Sequence, residues 1–282
     1  MKPLRIIGNA MRLIWHDVSM SVRYALNVPY RLHAELIQSP SRPRRTYVFI
    51  HGIGNTLRAW DEVVAHLPAD SRVISVDLLG FGDSPKPYRA VYSARMQARS
   101  IARTLLSFPG VQRPILVGHS LGALVAVELG RKYPFLFKHI VMCSPPLYIP
   151  EGTNMTGRLS RDRLLRSLYR AVRKHPGQME KLSPFAVRVG LTNKSFTLTH
   201  ETVGAYIASL ESSIVNQSAL SDIPKLKLPV TVMYGTLDPL VVGANIQRLA
   251  KDTPSVTVHK VIAGHEVVGR YARRVGEVIG AL

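Results

Sequence analysis

Cysteine is nearly absent from this chain: Cys143 is the single example in 282 residues. A disulfide framework is excluded, and so is a metal site built on several thiolates. Cys143 lies in the apolar run 139–143, where a small buried hydrophobe is expected rather than a reactive thiol. Long hydrophobic runs are missing too. No stretch reaches the roughly 18 apolar residues of a membrane-spanning helix. The nearest candidate, 3–27, is interrupted by Arg12, His16 and Asp17, so neither a span nor a secretory leader is expected there. Internal repeats and low-complexity tracts are also lacking, and with 46% hydrophobic residues the chain is neither fibrous nor disordered.

Acidic residues are scarce. Asp and Glu number 18 against 37 Lys and Arg, a formal charge of +19. Such a field draws polyanions: nucleic acid, anionic lipid headgroups or acidic substrates. Nucleic acid is not expected, because no zinc-finger spacing, basic zipper or aromatic RNA-binding signature accompanies the charge. Peripheral contact with an anionic membrane stays open, as does a basic surface with no dedicated partner. Residues 1–28 read as a basic amphipathic helix. Leu4, Ile7, Met11, Ile14, Trp15, Val18 and Val22 recur at helical spacing, beside Arg5, Arg12 and Arg23. A stripe of this kind either packs on the domain or lies on lipid. The expected location is cytoplasmic, with membrane-surface association as the option this segment adds.

What is present is an alternation of short apolar runs with helical patterns. Strands are expected at 30–37, 47–50, 73–76, 115–117, 139–143, 230–234 and 256–262. Helical spacing fills 57–67, 91–107, 123–129, 241–251 and 266–281. Strands that alternate with helices imply a mostly parallel sheet with helices on both faces. The alternation stops between 147 and 226, where no short β-like run separates the helical patterns. Residues 151–190 in that span carry nine Lys or Arg. The chain thus divides into an α/β core, 29–146 and 227–282, and a helical insertion, 147–226.

Chemistry gathers at the ends of the strands. Gly118-His119-Ser120-Leu121-Gly122 follows a buried strand and opens a helix, the context of a nucleophile elbow. A serine hydroxyl needs a base, and the base needs a carboxylate to orient it. Asp238 follows the strand at 230–234 and His265 follows the strand at 256–262, both where open α/β sheets build their sites. His16, His33, His66, His139, His175, His200 and His259 follow no suitable strand end, and His119 is held in the elbow. Asp77, Asp83, Asp222 and Asp252 suit bracing or capping. The backbone N–H groups of Leu121 and of Ile53, in His51-Gly52-Ile53-Gly54, are the candidate oxyanion donors by position.

From about residue 30 to the end, the sequence resembles the α/β-hydrolase superfamily. The matching pieces are 51–54, the loop Asp77-Leu78-Leu79-Gly80-Phe81-Gly82-Asp83-Ser84-Pro85-Lys86-Pro87, the elbow, 234–241 and 263–266. The resemblance implies that 147–226 is an inserted lid and that lid and loops shape the acyl and leaving-group pockets. Serine at 120 departs from the branches that carry an aspartate nucleophile. No metal or cofactor is implied. The expected activity is cleavage of a small-molecule carboxylic ester through an acyl-enzyme. Carbon–carbon hydrolysis of a ring-cleavage diketone, and lipase or lysophospholipase action at an anionic membrane, stay open. From another class, so does a non-catalytic ligand receptor or membrane-surface adaptor on the same scaffold.

Overall fold

Seven runs of five or six residues pair into one sheet in the computed structural model, which describes residues 26–148, 174, 176–188 and 192–282. In chain order the elements are β1 (Ala34–Gln38), β2 (Arg45–Ile50), α1 (Asp61–Val64), β3 (Ser71–Val76), α2 (Ala94–Leu105), β4 (Ile115–His119), α3 (Leu121–Lys132) and β5 (His139–Cys143). They continue with α4 (Pro176–Arg188), α5 (His200–Ser209), α6 (Ala219–Asp222), β6 (Val230–Gly235), α7 (Gly243–Asp252), β7 (Val256–Val261) and α8 (Arg270–Ala281). The expected 1–28 helix falls outside the described residues up to residue 25, as does much of 147–226. Among the described residues no helix is long and apolar enough to cross a membrane.

The strand order is β1-β3-β2-β4-β5-β6-β7. Among the described residues every pairing is parallel except that of β1 with β3, which places an antiparallel strand at the edge. The central strands are buried on both faces, and their side chains divide by the two-residue period of a strand. Val48 and Ile50 of β2 join a core with Ile101 of α2, Leu124 of α3 and Ile246 of α7. Tyr47 and Phe49 face the other way, toward Val63 of α1 and Tyr271 and Val275 of α8. Phe49 meets the Trp60 ring at 4.8 Å between centroids. A fully buried side chain of this size contributes roughly 1.5–3 kcal/mol, so both faces must be covered.

One strand is shorter than its sequence pattern. Alternation predicts a strand from residue 30, yet β1 begins at Ala34. The Tyr30 and Leu32 N–H groups are taken by Ser100 Oγ (3.0 Å) and Thr104 Oγ1 (2.8 Å) of α2. The segment is tied to a helix surface before it can join a ladder. The helical pattern at 57–67 likewise resolves into a 3-10 turn, Leu57–Trp60, followed by the four residues of α1.

Strand order also fixes where a site can form. From β2 the chain moves to β3 on one side and then to β4 on the other. The loops leaving β2 and β4 therefore diverge above adjacent strands, and a crevice opens at their carboxyl ends. Between β5 and β6 the described residues contain α4, α5, a π-helical stretch at Leu210–Val215 and α6, with no strand among them.

Candidate active site

β4 ends at His119 and α3 begins at Leu121, leaving Ser120 alone to turn the chain. It does so at φ 51°, ψ −113°, a conformation that side-chain-bearing residues rarely adopt. Its neighbours hold it there. The Ser120 N–H donates to the Cys143 carbonyl at 3.0 Å, and the Ser120 carbonyl accepts from the Ala123 N–H at 3.1 Å. A Cβ on Gly118 would run into the Gly122 carbonyl, and one on Gly122 into the carbonyls of Ile50 and His51. Both elbow glycines are thus required by close backbone approach, as the motif predicts. Ser120 stands at the N-terminus of a twelve-residue helix, where developing negative charge is favoured.

Asp238 and His265 arrive from the loops after β6 and β7. Those loops are clamped together by hydrogen bonds from Thr236 N to the Val261 carbonyl (2.8 Å) and from Leu237 N to the Ala263 carbonyl (3.0 Å). His265 Nδ1 donates to Asp238 Oδ2 at 2.7 Å, and the Leu240 N–H donates to Asp238 Oδ1 at 2.8 Å. Burial pushes the Asp238 carboxyl up, but the His265 bond and charge, with help from Leu240 and Ser144, bring it below its ordinary range. Burial pushes His265 down. The Asp238 bond and charge, joined by Glu266, more than reverse that and raise it above 6.5. With Nδ1 committed to the carboxylate, Nε2 is the nitrogen left to exchange a proton.

The elbow and His265 are joined indirectly. Among the described residues the Ser120 hydroxyl makes no hydrogen bond to His265. The contact runs through His119, whose Nε2 donates to the His265 carbonyl at 3.0 Å. Catalytic hydrogen bonds often tighten only once substrate is bound, so the open Ser120–His265 contact does not argue against the pair.

The two expected oxyanion donors sit on adjacent loops. Leu121 is the first residue of α3, so its N–H has no acceptor within the helix. Ile53 lies in the loop that leaves β2, the strand paired with β4 through Ile50 and Gly118. That loop is stiffened by His51, a residue the sequence does not single out. His51 is fully buried; its Nδ1 donates to the Gly52 carbonyl at 2.7 Å and its Nε2 accepts from the Leu78 N–H at 2.9 Å. Burial lowers its pKa, so it acts as a neutral brace with no free nitrogen for proton transfer.

Two further groups escape a sequence reading. Ser144, at φ 48°, faces Asp238 from the end of β5 and lies 3.3 Å from the Tyr271 hydroxyl. Tyr271 OH in turn donates to the Met233 carbonyl at 2.8 Å. Glu266 lies between His265 and Asn55, and burial raises its carboxyl above the ordinary range. The carboxylates set aside by the sequence are structural. Asp77 accepts from Leu57 N (2.7 Å), Asp83 N (2.9 Å) and His33 Nδ1 (2.9 Å), which accounts for the convergence of His33, Asp77 and Asp83. Asp222 accepts from Ser218 Oγ at 2.6 Å, and Asp252 pairs with Arg248 on the surface at 3.7 Å. Cys143 is buried, as expected.

This strand order, with a serine elbow after β4 and a carboxylate–histidine pair after β6 and β7, defines an α/β protein of hydrolase type. The model of the alpha/beta hydrolase family matches residues 47–278, and the chain belongs to that family. A probable lysophospholipase, BODYGUARD 4 of Arabidopsis thaliana, is 32% identical over 143 residues, 47% of this chain and 34% of that protein. The matched region therefore spans about a third of that relative's length. An esterase from Exiguobacterium antarcticum shares the fold with a TM-score of 0.73 at 15% identity, over 89% of this chain and 94% of the other. A thermophilic esterase from Thermogutta terrifontis aligns with a TM-score of 0.68 at 20% identity, over 88% and 91%.

Proposed function

We propose that the chain is a serine hydrolase that cleaves carboxylic esters through an acyl-enzyme. The observation that carries this reading is the 2.7 Å Asp238–His265 pair, on the strand ends that also hold the strained Ser120 elbow. Ser120 Oγ attacks the ester carbonyl while His265 Nε2 takes its proton. Asp238 holds the ring by Nδ1 and offsets the charge of the imidazolium. The Leu121 and Ile53 N–H groups receive the oxyanion, each donor being worth about 3 kcal/mol in the transition state. Collapse of the tetrahedral intermediate breaks the ester bond, and His265 returns the proton to the leaving alkoxide. Water then attacks the acyl-serine by the same route, releasing the acid and restoring Ser120.

The 147–226 segment serves in this reading as a lid that shapes the acyl pocket. The experiment is a series of p-nitrophenyl esters of rising acyl length, run beside a fluorophosphonate probe. Ester turnover with probe labelling of Ser120 supports the reading. A chain that binds ligands yet neither turns over nor labels is a receptor on a hydrolase scaffold.

A lysophospholipase reading is favoured by one observation, the similarity to the probable lysophospholipase of Arabidopsis thaliana, and suits the +19 charge. Release of fatty acid from lysophosphatidylcholine, faster than from any p-nitrophenyl ester, distinguishes it. Peripheral membrane contact belongs with this reading. Salt-sensitive co-sedimentation with anionic vesicles, lost in a chain starting at Val28, supports it; equal binding with and without that segment removes it.

A further inference from the structure

His119 stands where three segments of the candidate site meet. It is the last residue of β4, pairs in register with Cys143 and is 3% exposed. Its Nε2 lies 3.0 Å from the His265 carbonyl oxygen. A carbonyl can only accept, so Nε2 carries the proton and the neutral ring is fixed in one tautomer. Its other edge faces the loop after β2. A methyl group on Gly52 would stand 2.8 Å from His119 Nδ1 and 3.3 Å from Cε1, so the ring fills the space that glycine leaves. The ring is also tilted against the His265 imidazole, at 4.9 Å between centroids and 52° between planes.

The surroundings keep this ring uncharged. Burial first, and then the proximity of His265 and His51, hold its pKa down to about 3, against the opposing pull of the His265 carbonyl and Asp238. Neutrality matters because the proposed reaction places a positive charge on His265. A second imidazolium beside it would oppose that charge.

We propose that His119 is a positioning residue whose Nε2–H bond to the His265 carbonyl fixes the base to the nucleophile elbow. The inference rests on the Ser120–His265–Asp238 reading above. Ser120 makes no hydrogen bond of its own to His265 among the described residues, so the neighbouring side chain is the hydrogen-bonded tie between the two loops. Because the same ring occupies the gap at Gly52, it also sets the spacing of the Ile53 donor from both. Sequence alone discounts His119 as a base and gives no sign that it reaches a residue 146 positions away.

The test compares purified full-length variants on a p-nitrophenyl ester. His119→Gln keeps an N–H donor near the Nε2 position; His119→Phe keeps the ring and loses the donor. His119→Phe is expected to lower kcat by up to about 100-fold, the scale of a 1 Å misplacement of a catalytic group, with KM changed less than threefold. His119→Gln is expected to recover most of that loss, to within about fivefold of the wild type. His119→Asn, whose shorter amide reaches only the Nδ1 position, should fall with His119→Phe and replaces it should that variant not fold. Rates are taken per fluorophosphonate-reactive site, so unfolded protein does not enter the comparison. Wild-type kcat in His119→Phe or His119→Asn overturns the inference, as does a Gln variant no better than these. A wild-type chain unlabelled at Ser120 overturns the parent reading and this inference together; a labelled one with no donor dependence overturns this inference alone.

Discussion

Asp238 and His265 are joined by one hydrogen bond, carboxylate Oδ2 to ring Nδ1 at 2.7 Å, across 27 residues that include all of β7. The bond leaves Nε2 free and sets the pH range in which it can act. His265 must be neutral to take a proton, and its pKa is raised above 6.5, so the acid limb of kcat/KM is expected above pH 6.5. Asp238→Asn removes the anion that raises it while leaving the burial that lowers it. That limb should therefore move to lower pH, and kcat should fall by about 10⁴-fold. A pH–rate profile of both proteins checks the sign and the size.

Glu266 contributes to the same shift through its charge. Glu266→Gln should also move the acid limb to lower pH, by less than Asp238→Asn, and leave kcat at pH 8 within a few-fold of the wild type. A shift to higher pH would mean that Glu266 acts on His265 through something other than its charge.

The elbow glycines and a helical glycine offer a contrast in stability. A methyl on Gly122 meets the Ile50 and His51 carbonyls, backbone that cannot step aside, whereas one on Gly204 of α5 meets nothing within 4 Å. Gly122→Ala is expected to cost about 3 kcal/mol and to abolish probe labelling. Gly204→Ala is expected to stabilise by about 0.5–1 kcal/mol, through its better helix propensity. Urea denaturation of the three proteins measures both.

The Tyr271 hydroxyl of α8 ties the ends of β5 and β6 to that helix, donating to the Met233 carbonyl and accepting from the Ser144 N–H at 3.1 Å. Tyr271→Phe removes these bonds and the 3.3 Å contact with Ser144 Oγ, but leaves the Ser144 N–H bonded to the Met233 carbonyl at 2.8 Å. The expected cost is about 1–2 kcal/mol in urea denaturation, with kcat within a few-fold of the wild type. Ser144→Ala, which strips a hydroxyl facing Asp238, should instead lower kcat with little change in stability.

The strands and the candidate triad were legible because their signals are local. A five-residue apolar run marks a buried strand, glycines at 118 and 122 mark an elbow, and Asp238 and His265 each follow a strand end within a few residues. What escaped depends on partners far away in sequence. Tyr30 and Leu32 alternate like a strand, but Ser100 and Thr104, 70 and 72 residues on, claim their N–H groups. His51 and Ser144 look like ordinary loop residues until the fold brings Leu78 to one, and Tyr271 and Asp238 to the other. Glu266 directly follows His265, yet its raised carboxyl arises from the burial that folding supplies, against the opposing pull of His265 and Asn55.

Whether Ser120 is a nucleophile activated by His265 can be read from one experiment. Intact protein is treated with a fluorophosphonate, digested, and the adduct mapped by mass spectrometry in the wild type, Ser120→Ala and His265→Ala. A single adduct on Ser120 is expected, with none in Ser120→Ala, and labelling slowed by orders of magnitude in His265→Ala, with ester turnover following the same order. An adduct that persists in Ser120→Ala, or ester turnover unchanged in that variant, would contradict that role.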